Sequence, residues 1–147
     1  MIAQYKDTLA ELKVQFEKYL EPLLPELHEV AEYVQAAQAD DDQLSDHSGR
    51  LSSFLARVNG IYGEMEGFRT QFTALATEWA FNSNPEMGAN AAKAIAGRHT
   101  SQCEQVYKTV DRLSATITHQ LTNINARIWK AREEMKLAGQ NNQPRKS

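Results

Sequence analysis

The stretch LSDHSGRLSSFLARVNGIYGEMEGFRTQFTALATEW, residues 44–79, decides the fold. Leu44, Leu51, Phe54, Val58, Ile61, Met65, Phe68, Phe72, Leu75 and Trp79 recur at alternating steps of three and four, with His47 as the polar member of the same series. On a helix that spacing gathers the residues into one narrow seam, whereas a strand would scatter them over both faces. A seam with a 3.5-residue period is the pattern of coiled-coil packing.

Two further seams flank it. The first runs Ile2, Tyr5, Leu9, Leu12, Phe16, Tyr19, Leu23, Leu27, Val30, Val34 and Ala37. The last runs Cys103, Val106, Val110, Leu113, Ile117, Leu121, Ile124, Ile128, Ala131, Met135 and Ala138. Each carries one extra four-residue step, at Leu23–Leu27 and Ile117–Leu121, a stutter that relaxes the supercoil. All three seams span 36 residues, about 54 Å of helix. Equal lengths predict helices lying side by side.

The breaks between seams are readable. AQADDDQLSDH (37–47) separates the first two helices, with Asp42 or Ser45 as N-cap of the second. FNSNPEMGAN (81–90) separates the next two, with Asn84 as cap, Pro85 at the first helical position and Glu86 at the positive end of the dipole. Gly88 and Gly97 leave the start of the third helix open between 85 and 97. Gly139 marks its stop, and QNNQPRKS (140–147) reads as a flexible basic tail. Pro22 and Pro25, in YLEPLLPELHEV (19–30), predict a kink or short break in the first helix, since an interior proline loses a hydrogen bond. A helix–turn–helix at that point is the alternative.

The expected fold is all-α: an elongated, antiparallel, up-down-up three-helix coiled-coil bundle in a single domain, residues 1–139, with helices at about 2–37, 43–81 and 85–138, and dimeric. The competing arrangement is a hairpin of the second and third helices, with the first packed on another chain. Bulky Phe72, Trp79 and Phe81 are expected to interdigitate with small Ala89, Ala91, Ala92, Ala94 and Ala96.

A second series on the middle helix bears on function. Ser53, Ala56, Gly60, Gly63, Gly67, Thr70, Ala74 and Thr77 keep the same spacing but trail the apolar seam by two residues, about 200° around the helix. Each glycine costs about 1 kcal/mol relative to alanine in a helix interior. Small residues in a row let another backbone approach closely. Three uses compete: close packing within the bundle, a self-complementary dimer contact, or weak points for bending or a partner groove. The expected interface is Ala56, Gly60, Gly63, Gly67, Thr70 and Ala74.

The composition is 41% hydrophobic and 24% charged, with net charge −3, which fits neither a disordered tail nor a membrane protein. No apolar run approaches the roughly 20 residues that span a bilayer. The amphipathic start, MIAQYKDTLAELK, lacks the basic-then-apolar pattern of a secretory signal. With Cys103 alone there is no internal disulfide. A cytoplasmic protein is expected. Charge is unevenly spread: −7 over 1–42, −2 over 43–90 and +6 over 91–147. An acidic helix beside a basic one accounts for this, as does a basic end offered to a polyanion.

Catalytic and cofactor patterns fail on inspection. HEVAE (28–32) lacks the second histidine of a zinc helix, and no Glu-x-x-His pair exists for a di-iron bundle. DDDQLSDH (40–47) lacks the turn glycine and closing glutamate of a calcium loop. Phosphate-loop and nucleophile-turn motifs are missing as well. No enzyme activity, cofactor or metal is expected. His47 reads as a register-fixing polar seam residue, or as a pH-sensitive weak point. His28 and His119 read as boundary residues, and Cys103 as a small buried side chain rather than a reactive thiol.

The functional expectation is a non-enzymatic protein–protein interaction or assembly protein: an adaptor, chaperone, scaffold or inhibitor acting through helical surfaces. The alternative is a nucleic-acid-binding accessory protein. NARIWKAREEMK (125–136) sets Arg127, Lys130, Arg132 and Lys136 around Trp129, the tail adds Arg145 and Lys146, and Arg98, Lys108 and Arg112 extend the basic surface. Against it stand Glu133 and Glu134, and the place of Trp129 beside Ile128, which predicts rim packing.

Overall fold

The computed structural model describes residues 2–36, 41–83, 86 and 88–141, and these are helical apart from residues 21–22, 86 and 88, with no strand among them. α1 covers Ile2–Leu20, α2 covers Leu23–Ala36, α3 covers Leu44–Ser83 and α4 covers Ala89–Asn141, with a short 3-10 turn at Asp41–Gln43 leading into α3. The prolines resolve as a break rather than a bend. α1 ends at Leu20, where Glu21 N still donates to Glu17 O at 2.9 Å, and α2 restarts at Leu23. Pro25 then falls in the first turn of α2, where its missing N–H has no intrahelical acceptor to lose.

Side-chain contacts give the topology. Ser48 bonds Asn125, Asn59 bonds Ser114, and Arg69 pairs with Glu104. Numbers rise along α3 as they fall along α4, so these two helices run antiparallel. Phe16 meets Phe68 and Phe72 edge-on at 5.4 and 5.8 Å. Farther along, Arg57 pairs with Glu26 at 2.5 Å, and Tyr33 meets Phe54 at 5.1 Å. The α1–α2 pair therefore also runs antiparallel to α3. Gln120 Nε2 donates to the Val34 carbonyl at 2.9 Å, satisfying an otherwise orphaned group at the end of α2.

The middle seam is buried or half-buried throughout, from Leu44 to Trp79. Leu51, Val58, Ile61, Met65 and Phe72 of α3 close against Leu9, Leu12 and Phe16 of α1, Leu27, Val30 and Val34 of α2, and Val110, Ile117 and Ile124 of α4 in one core. Each such side chain contributes about 1.5–3 kcal/mol by leaving water. Leu20 and Thr100, outside the expected seams, are buried too.

Two expectations need correction, the matched helix ends and the stop at Gly139. The helices are not aligned end to end. α4 starts at Ala89, inside the 85–97 window that the sequence leaves open, and continues through Gly139, its expected stop, to Asn141. Residues 89–100 lie opposite the end of α3, and the α4 seam leaves the core at its other end: Ile124 is buried, Ile128 and Ala131 are half-buried, and Met135 and Ala138 are exposed. Of the expected bulky-against-small contact, Phe81 is 41% exposed and Ala89, Ala91 and Ala94 face solvent, while the side chains of Ala92 and Ala96 lie outside the described residues. Phe72 packs on Phe16 instead. The interhelical pairs Arg57–Glu26 and Arg69–Glu104 both use α3 arginines. Asn84, Pro85 and the tail beyond Asn141 lie outside the described residues.

Candidate functional site

The small-residue series stands on the outer face of α3. Ser53, Ala56, Gly60, Gly63, Gly67, Thr70 and Ala74 are exposed, and Thr77 is half-buried. A Cβ built at Gly60, Gly63 or Gly67 would meet nothing within 4 Å. None of these glycines has a positive φ. Neither backbone conformation nor close packing within the chain therefore requires glycine, which removes the first of the three uses. Past Gly67 the stripe opens into a shallow groove of about 600 Å³, lined by Arg69, Thr70, Thr73, Ala74, Thr77 and Glu78.

 A second groove, of about 410 Å³, lies at the other end of α3 and is lined by Ser45, Ser48, Asn125, Ile128, Trp129 and Arg132.

The borders of the stripe are held by polar contacts. On one side Arg69 pairs with Glu104 and lies 4.7 Å from the Tyr107 ring centroid, while the Tyr62 and Tyr107 hydroxyls bond each other. That hydroxyl contact pushes the Tyr62 phenol up to about 12. On the other side the Arg57 guanidinium, bonded to Glu26, holds that carboxyl below its ordinary range. α3 is thus braced from both flanks while its outer face stays bare. The two tyrosines directly follow Ile61 and Val106 of the seams, a position that marks them as border residues, although the sequence reading did not single them out.

The basic series occupies the far end of α4. Arg127, Trp129, Lys130, Arg132 and Lys136 are all exposed, and Arg145 and Lys146 lie outside the described residues. Trp129 is 66% exposed, so the expected rim packing is not found within this chain. Lys136 pairs with Glu133 at 3.6 Å. Arg98, Lys108 and Arg112 lie 29, 19 and 15 residues up the helix from Arg127, about 44, 28 and 22 Å away, so the upstream bases do not join this cluster.

Candidate reactive groups have structural surroundings. Cys103 is buried with Sγ 3.9 Å from the Met65 carbonyl, and burial pushes its thiol up to about 11, which disfavours the nucleophilic thiolate. His47 is buried, with Nδ1 2.5 Å from Tyr33 Oη. Desolvation, and then the charge of Arg50, lower its pKa. His28 is exposed beside Glu32 at 2.9 Å. Among the described residues no three His, Cys, Asp or Glu side chains gather as a metal site, and no helix is long and apolar enough to cross a membrane. Compared with protein-family models, curated proteins and solved structures, the chain finds no match in any of the three.

Proposed function

We propose that this chain is a non-enzymatic interaction or assembly protein whose helices form an antiparallel, up-down-up coiled-coil bundle, and that it pairs with a second copy through the outer face of α3. The observation that carries this reading is the row Ala56, Gly60, Gly63, Gly67, Thr70 and Ala74, exposed along a helix whose opposite face is buried or half-buried. Solvent-facing helix positions favour Glu, Lys, Gln or Arg. Three glycines without a neighbour cost roughly 3 kcal/mol, and a facing backbone at close range offsets that cost. Among soluble oligomers, two-fold dimers built from one self-complementary patch are the commonest kind.

The test is mass in solution by sedimentation, across concentration. The expected result is a dimer, which Gly63→Leu shifts toward monomer while helical content is unchanged. A monomer at every concentration, or a dimer indifferent to Gly63→Leu, would sink the α3 contact.

A second reading has its own observation. Trp129 stands exposed beside Arg132, as a base-stacking platform among phosphate contacts would. Binding of single- and double-stranded oligonucleotides, titrated across salt, tests it. Loss of binding on replacing Arg127, Lys130 and Arg132 is the result that this reading requires.

A further inference from the structure

Among the described residues, the end of α4 is the other surface on which no helix packs. In the α3–α4 register set by Ser48–Asn125 and Asn59–Ser114, the first residue of α3, Leu44, falls opposite about residue 129. α2, which ends at Ala36, reaches only to about residue 122 by the Val34–Gln120 bond. Residues 130–141 therefore run past both neighbours, for about 18 Å. The seam does not stop there. Ile128, Ala131, Met135 and Ala138 keep their spacing, and Met135 is 75% exposed. An isolated stretch this short is marginal as a helix in water, so an apolar row continued along it needs something to cover it.

We propose that this overhang, together with the groove lined by Ser45, Ser48, Asn125, Ile128, Trp129 and Arg132, docks an acidic amphipathic helix from a different protein, laid in line with α3. Charge selects the occupant. Arg132 and Lys136, one turn apart, line the edge of the apolar row on the Trp129 side. Acidic residues on a facing helix complement that edge. A second copy lying antiparallel brings the same edge against itself, so that like charges meet. Nucleic acid finds an apolar row at the centre of the surface, with Glu133 and Glu134 among the bases. The proposal rests on the interaction-protein reading, but not on the α3 dimer.

The test is selection from a displayed library of 20-residue helical peptides against the full chain, with the Met135→Glu variant as counter-target. Selected peptides are then measured by fluorescence anisotropy. Enrichment of amphipathic sequences flanked by Asp and Glu is expected, bound about tenfold more weakly by Met135→Glu, and by Arg132→Glu with Lys136→Glu, and more weakly as salt rises. Met135→Gln keeps the size of the side chain, and circular dichroism of each variant separates lost binding from lost helix. Gly63→Leu is expected to leave peptide binding unchanged, which separates this site from the α3 contact. The proposal is overturned if no peptide is enriched, if basic or neutral peptides bind as well, if Met135→Glu abolishes self-association instead, or if an oligonucleotide displaces nothing but binds the overhang itself.

Discussion

His47 shows how one residue couples the seam to pH. It is a buried polar member of the α3 seam, and its neighbours are Tyr33 from α2 and Arg50 one turn on, the latter 5.7 Å from the Tyr33 ring centroid. With Nδ1 unprotonated, the Tyr33 hydroxyl donates to it. Its folded pKa lies below the ordinary 6.5, so in the window just below 6.5 the unfolded chain binds the proton first. Stability contributed by neutral His47 is thus present above that window and is lost as pH falls through it. The thermal midpoint is expected to drop by a few degrees between pH 7.5 and 5, and less in His47→Gln; equal slopes in the two proteins would refute the assignment. The polar seam position was readable from spacing alone. Its partner was not, because Tyr33 is 14 residues away across a chain reversal, and periodicity says nothing about which residues meet there.

At the scale of the helix, α3 carries opposite demands on its two faces. Alanine at Gly60, Gly63 and Gly67 meets nothing within the chain, so the triple variant is expected to stabilise the monomer by about 3 kcal/mol. In the proposed pair the added methyl groups hold the two backbones apart. The same variant is therefore expected to dissociate at higher concentration, a reversal of sign that sedimentation and thermal unfolding read together. Stabilisation without any loss of pairing would point away from α3. Element identity was legible because three/four spacing survives over ten or more residues, and Pro22 announced the break. Lengths were less so. The seam from Cys103 to Ala138 tells where apolar residues sit, but not where a neighbouring helix stops, and Gly139 does not end a helix whose neighbours have already left.

For the whole molecule, the consequence is an uneven distribution of protection. Residues 104–125 of α4 face α3 along their length, whereas 130–141 run beyond it. Hydrogen exchange is expected to be slowest in the first segment and close to open-chain rates in the second; equal protection would mean that the overhang is already covered. Fold class was available from sequence because helical packing follows local periodicity. The surfaces were not, since exposure depends on register between distant segments, and only the cross-helix pairs fix that register. Gly63 sits almost midway along Leu44–Ser83. If two chains cross antiparallel at that midpoint, their α4 tips lie on opposite sides of the crossing, roughly 90 Å apart. Such a pair is a bivalent spacer with a grip at each pole, and its reach is set by helix length alone.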